Sequence, residues 1–200
     1  MTTMTVQPVR AGRMGDLATL FGTNKTTAGC YCMWFLVPAK ECSAGWSGGN
    51  QVALEERIVT DPDPLGLLAY RDDQPIGWCA LGPRRRYARA LRSKVLQGHD
   101  PAEDDSVWLV PCFYVRRDAR RTGVTRLLLD AAVRTAARAG ASAIEAFPLA
   151  GDQRHGSGDA FVGVEPLFAS CGFTPIARPT PKRVVMRREL TGGDQPLSEE

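Results

Sequence analysis

The apolar and polar positions change period most clearly across residues 107–140. Val107–Val115 (VWLVPCFYV) is a β-prone, nearly continuous apolar run, which predicts a buried strand. From Val124 onward, apolar residues recur at Val124, Leu127, Leu128, Ala131, Ala132 and Ala136, the spacing of one helix face, and Gly140 supplies a stop. Before this unit the pattern predicts a strand at Thr5–Arg10 and a helix at Arg13–Phe21. It then predicts a helix capped by Asn50 and ending near Val59, and a hairpin of strands Leu65–Tyr70 and Pro75–Leu81. Pro83–Gln97 reads as a basic amphipathic helix or helical loop, with Tyr87, Ala90, Leu91 and Val95 inward. After the unit come a strand at Ser142–Leu149, a polar loop at Ala150–Gly163 that could serve as a lid, and a short helix at Val164–Cys171. One or two closing strands follow within Thr174–Leu190. Strands and helices in this order predict a single α/β (α+β) domain over residues 1–190, a mixed sheet with helices on both faces. Residues 191–200 read as a polar, disordered tail.

The connection between the central strand and helix carries the chemistry. Arg116, Arg117, Arg120, Arg121 and Arg126 put five cations within eleven residues, and Gly123 stands just before the helix. First-turn amides of a helix lack intrahelical partners and its dipole favours negative charge, so a glycine-containing basic turn at that point is suited to an anion. The spacings G-x-x-x-x-G-K-[ST] and G-x-G-x-x-G are both absent, which removes the common mononucleotide and dinucleotide fingerprints.

Arg120-Arg121-Thr122-Gly123-Val124-Thr125 resembles the acetyl-CoA pyrophosphate signature R/Q-x-x-G-x-G/A of the GNAT N-acetyltransferase superfamily, with Thr125 in place of the final small residue. Gly77-Trp78 in the second hairpin strand is a further point of similarity. The segments CYCMWF, LLAY, PIGWCALGPR, EAFPL and LFASCGF together resemble bacterial members whose acceptors are unassigned. The resemblance implies a GNAT-like acyl-CoA N-acyltransferase fold with about six to seven mostly antiparallel strands. It implies acetyl-CoA as co-substrate, held by the main chain of Phe113, Tyr114 and Val115 and by the loop Arg120, Arg121, Thr122, Gly123, Val124 and Thr125. It also implies direct attack of a primary amine, on a small molecule or a protein, on the thioester.

That chemistry must remove a proton from the amine and benefits from an acid for the departing thiolate. The superfamily often places a tyrosine in a pattern like L-Y-x-x-x-G-F, but Leu167-Phe168-Ala169-Ser170-Cys171-Gly172-Phe173 puts Phe168 there. The acid must then be water or another residue, with Tyr31, Tyr87 and Tyr114 as candidates; otherwise the chain is an acyl-CoA-binding or regulatory module with little turnover. Glu145, a carboxylate between Ile144 and Ala146 in the strand beside the expected cleft, is the candidate general base; its alternative is a salt-bridged structural glutamate. Asp104, Asp105 and His155 are weaker candidates because they lie in loops.

Composition changes this picture little. The chain has 200 residues, 44% of them hydrophobic and 24% charged, with a net charge of +3, which is too small to imply nucleic acid. The basic stretch Pro83–Gln97 is short and lacks interleaved exposed aromatics, which argues against a nucleic-acid partner; a solvated surface face, or attraction of an acidic acceptor or of the ribose phosphate of CoA, are the alternatives. No run approaches the roughly 18 apolar residues of a membrane span, and the first residues lack the apolar core of an export signal, so the expected compartment is the cytoplasm. The six cysteines read as reduced thiols; Cys30, Cys32 and Cys42 complete no tetrahedral metal set. The resemblance also implies that Trp34, Phe35 and Trp46 are candidate walls of an acceptor pocket, with core packing as the alternative, and a homodimer is left open.

Overall fold

A computed structural model describes residues 3–151 and 160–191. In chain order it contains β1 (Met4–Pro8), α1 (Met14–Gly22), α2 (Lys25–Cys30), α3 (Ala39–Ala44), α4 (Gly49–Thr60), β2 (Gly66–Arg71) and β3 (Gln74–Pro83). These are followed by α5 (Ala88–Leu91), β4 (Val107–Val115), α6 (Val124–Arg138), β5 (Ala143–Ala146), α7 (Glu165–Ala169), β6 (Thr174–Thr180) and β7 (Arg183–Glu189). The strands form one seven-stranded sheet in the order β1-β2-β3-β4-β5-β7-β6. Every pairing is antiparallel except β4 with β5.

Helix α6 lies against the sheet through Val124, Leu128, Leu129, Ala132, Val133 and Ala136, each at most 3% exposed. At about 1.5–3 kcal/mol for each large side chain taken from water, this stripe anchors the helix. Gly77 in β3 makes the close approach possible, since a Cβ there would lie 2.8 Å from Val124 Cγ1. The opposite face of the sheet carries a second core, in which Leu17, Phe21, Met33 and Leu54 meet Leu68, Trp78, Leu109 and Phe147.

Three stretches depart from the pattern-based reading. Asn50 does not cap α4, which begins at Gly49; its buried amide donates to the carbonyls of Gly29 and Cys42, each at 2.8 Å. Pro83–Gln97 is the helical loop rather than one helix, with α5 and a 3-10 turn at Arg84–Arg86 and with Tyr87 and Ala90 inward, but Arg84 is 1% exposed instead of on a basic face. The strand expected over Ser142–Leu149 spans only Ala143–Ala146.

That shortening makes the opening in the sheet. Parallel pairing runs from Val107↔Ala143 to Val110↔Ala146 and stops, while β4 continues to Val115 against β3 alone. The chain after β5 turns away, and Leu149 bridges to Val164 and Arg183 instead. Pro111 lies where the β3–β4 register shifts, between Cys112↔Ala80 and Leu109↔Gly82, a place where a missing N–H costs no ladder bond.

Candidate active site: the β4–α6 groove

The second half of β4, freed from β5 on one edge, forms one wall of a groove of about 290 Å³. Its lining residues are Phe113, Tyr114, Val115, Arg120, Thr125, Phe161, Gly163, Val164 and Leu167. The groove therefore runs between the β4 edge and the segment leading into α7, and ends at the start of α6. Gly123, at the N-cap of α6, has φ +87, a left-handed conformation that glycine adopts without strain, and no side chain caps the helix there. A Cβ at Gly123 would meet no protein atom within 4 Å, so it would project into open space in front of the first-turn amides. Thr125 lines the groove, while Thr122 donates its hydroxyl to Ala119 O at 2.8 Å and accepts from Arg71 Nη2 at 3.2 Å.

The loop's arginines divide into two groups. Arg116 is held in a two-pronged bond by Asp118, at 2.7 and 2.8 Å, and this contact keeps the Asp118 carboxyl below its ordinary range. Arg126 donates to Ser170 Oγ and to Ser170 O. Arg120 reaches back to Val115 O at 3.1 Å through Nε, and Arg117 and Arg121 are exposed and make no ion pair with any described residue. On the side of the loop facing α1, Arg116, Arg117 and Arg120 line a broad concavity of about 920 Å³ together with Thr23, Asn24, Tyr114 and Asp118. Nothing in the residue pattern marked Thr23, Asn24, Phe161 or Gly163 as wall residues.

Tyr114 stands between the two concavities and lines both. Its hydroxyl lies 2.6 Å from Thr23 Oγ1, and the Thr23 hydroxyl donates to Leu20 O at 2.6 Å, so Tyr114 is the donor in the pair. The other tyrosines considered as acids line neither space: Tyr31 packs edge-on against Phe21, and the Tyr87 hydroxyl is buried without a hydrogen-bond partner. Burial pushes the phenol pKa of both upward. Phe168 is fully buried, with its ring against Phe113 and Phe173 at 6.0 and 5.2 Å, and serves as packing.

Glu145 does not line the groove, and the geometry turns the expected base into a structural carboxylate. Its side chain projects from β5 on the face opposite α6, 2% exposed, with Arg84 Nη1 at 2.9 Å and Arg187 Nη1 at 3.2 Å. Arg84 also binds Asp104 and the carbonyl of Asp100, and Arg187 grips both oxygens of Glu103 at 2.8 and 3.0 Å. Both oxygens of this buried carboxylate are engaged by guanidinium groups, which holds it as an ion-paired group away from the groove. Asp104 belongs to the same network, and Asp105 pairs with Arg85. His155 lies outside the described residues. Phe35 packs on Phe147 at 5.3 Å, Trp34 lies exposed beneath the Arg89 guanidinium, and Trp46 packs over Gly29; none lines either concavity. Among the described residues there is no group of three or more His, Cys, Asp or Glu placed to hold a metal, and no helix is long and apolar enough to cross a membrane.

The model of the acetyltransferase (GNAT) family matches residues 32–155, more than half of the chain, a span that includes β4 and the start of α6. The chain belongs to the GNAT acetyltransferase family. Acetyl-CoA is the co-substrate of that family. Solved structures of similar fold include an acetyltransferase from Thermus thermophilus, 17% identical over 94% of this chain and 97% of that one, with a TM-score of 0.52. A putative acetyltransferase from Salmonella typhimurium, solved with its cofactor acetyl-CoA, is 14% identical over 94% and 95% of the two chains, TM-score 0.57. The PaiA N-acetyltransferase from Thermoplasma acidophilum, in complex with coenzyme A, is 12% identical over 94% and 99%, TM-score 0.53. A comparison with the curated proteins finds no match. In this GNAT member Arg120 and Thr125, the two ends of the segment that resembles the pyrophosphate signature, line the groove.

Proposed function

We propose that this GNAT member transfers the acetyl group of acetyl-CoA to a primary amine by direct attack on the thioester. The observation that carries this is the gap where β4 outlasts β5, with the uncapped start of α6 opening into it. The first-turn amides at Val124 and Thr125, with Arg120 and Arg121, hold the diphosphate. The main chain of Phe113, Tyr114 and Val115 pairs with the extended pantetheine arm as a strand would, which asks Arg120 to release Val115 O. Phe113, Phe161, Val164 and Leu167 keep water from the arm.

Proton handling in this proposal differs from a carboxylate-assisted scheme. Among the described residues Tyr114 is the one phenol lining the groove, and it is assigned as donor to the departing thiolate after leaving Thr23. No carboxylate or histidine lines the groove among the described residues, and Asp118 is held by Arg116, so the amine gives its proton to solvent. A thiol has a pKa of about 8.5, so the donor at Tyr114 assists rather than decides. The apolar Phe168 favours a second reading, an acyl-CoA-binding module with little turnover.

Release of free CoA across a panel of small amines and lysine peptides separates the two. Turnover above the hydrolysis background is expected for at least one acceptor, with a rate that climbs with pH toward the acceptor's own pKa. Binding of acetyl-CoA without release for any acceptor would favour the module and end the enzyme proposal.

A further inference from the structure

Two cysteines from distant parts of the chain meet at β4, one of them next in sequence to the groove-lining Phe113. Cys32, in the turn after α2, and Cys112, in β4, have their sulfur atoms 3.8 Å apart. Trp78 Nε1–H donates to Cys32 Sγ at 2.9 Å, and the Cys32 thiol is directed at Cys112 Sγ. The two differ in access: Cys32 is buried and Cys112 is half-buried. The hydrogen bond to Cys112, and then burial, push the Cys32 thiol well above its ordinary pKa, so Cys32 keeps its proton. Of the pair, Cys112 is the sulfur that a small solute reaches first.

We propose that Cys112 and Cys32 form an oxidant-sensitive pair that closes to a disulfide in the presence of a peroxide. In the first step the Cys112 thiolate attacks hydrogen peroxide. An S–O bond forms and the O–O bond breaks; sulfur is oxidised to the sulfenic acid and the other peroxide oxygen leaves as hydroxide. In the second step Cys32 loses its proton and attacks the Cys112 sulfur. The S–S bond forms, the S–O bond breaks and water departs.

Closure brings the two sulfur atoms together by about 1.8 Å, from the observed contact to the length of a disulfide bond. Tyr31 and Cys32 both have left-handed backbone, with φ +44 and +55, in the turn that must move. Tyr31 packs on Phe21, and Phe21 packs on Tyr114, at 5.1 and 6.4 Å between ring centres. Cys112 immediately precedes Phe113, Tyr114 and Val115, so the cross-link pulls on the wall of the groove. This consequence, unlike the bond itself, rests on the proposed use of the groove for acetyl-CoA.

The test treats the reduced full-length protein with hydrogen peroxide and maps its peptides without reduction. Free thiols are expected to fall from six to four, with a Cys32–Cys112 peptide that dithiothreitol removes. In Cys32→Ser, dimedone is expected to trap the sulfenic acid on Cys112. A Cys30–Cys42 cross-link in place of Cys32–Cys112, or six thiols surviving the treatment, would overturn the proposal. The acetyl-CoA-induced rise in melting temperature is expected to be at least halved in the oxidised protein, and an equal rise in both forms would overturn the coupling to the groove. Failure of the reduced protein to respond to acetyl-CoA at all would instead count against the proposed function, since the peptide map reads the disulfide independently.

Discussion

Arg84 and Arg187 on one side of the sheet, and Arg120 and Arg121 at the end of β4, are equally cationic in sequence and are treated in opposite ways by the fold. The first two are sunk among Glu145, Glu103 and Asp104, with each guanidinium matched to carboxylates. The second two are left on the surface beside uncapped helix amides, with no described carboxylate against them. Removing a charge from water costs several kcal/mol, and a buried charge that loses its partner leaves that cost without compensation, so complete pairing is what lets these two arginines sit inside the fold. Cations placed next to unsatisfied donors at the mouth of a groove contribute nothing comparable to the fold, and are available to an anionic ligand.

Breaking the paired set gives the largest expected effect on stability. Arg84→Met leaves Glu145 Oε2 without its partner, and losing one member of a buried pair costs about 3–5 kcal/mol. For a chain of this size that is a fall in melting temperature of roughly 10 °C. Acetyl-CoA affinity at a temperature where the variant is folded should change less than twofold, by calorimetric titration. A variant that kept its melting temperature but lost acetyl-CoA binding would place Arg84 in the site and remove the contrast.

A smaller effect sharpens the same point through pH. The hydrogen bond from Arg187 holds the Glu103 carboxyl below its ordinary value of 4.5. A depressed carboxylate stabilises the fold above that value, and the contribution is lost as pH falls through the folded-state pKa. Glu103→Gln should therefore melt slightly lower than the wild type at neutral pH, by less than about 1 kcal/mol because Glu103 is partly exposed. The difference should shrink as the pH falls below 4.5. A gap that stayed constant with pH would show that Glu103 acts through packing instead.

Much of the frame around the groove was legible in the residue pattern. The β4–α6 unit announces itself because an apolar run gives way to helical spacing within a few residues, and local rules then place unpaired amides beside Gly123. The paired network was not legible, because its bonded partners lie up to 84 residues apart and the pattern contains no sign of who meets whom. Glu145 was recognised as a carboxylate in need of an explanation; Arg84, 61 residues away, supplies it. Read locally, Arg84 and Arg86 belong to a basic surface stretch, yet Arg86 turns in to Asp61 and to the carbonyls of Pro64 and Leu81. Asn50 carries the same lesson, since a residue suited to capping a helix is spent on joining α4 to α2 and α3.

The account rests on the start of α6 gripping the diphosphate of acetyl-CoA, and calorimetric titration of acetyl-CoA into the wild type and Gly123→Glu measures it most directly. Glutamate would place bulk and negative charge in the open space before the first-turn amides. The expected result is saturable binding by the wild type and at least a tenfold weaker affinity in the variant, about 1.4 kcal/mol or more, with the helical circular dichroism preserved. Equal affinities, or no binding by the folded wild type, would contradict it.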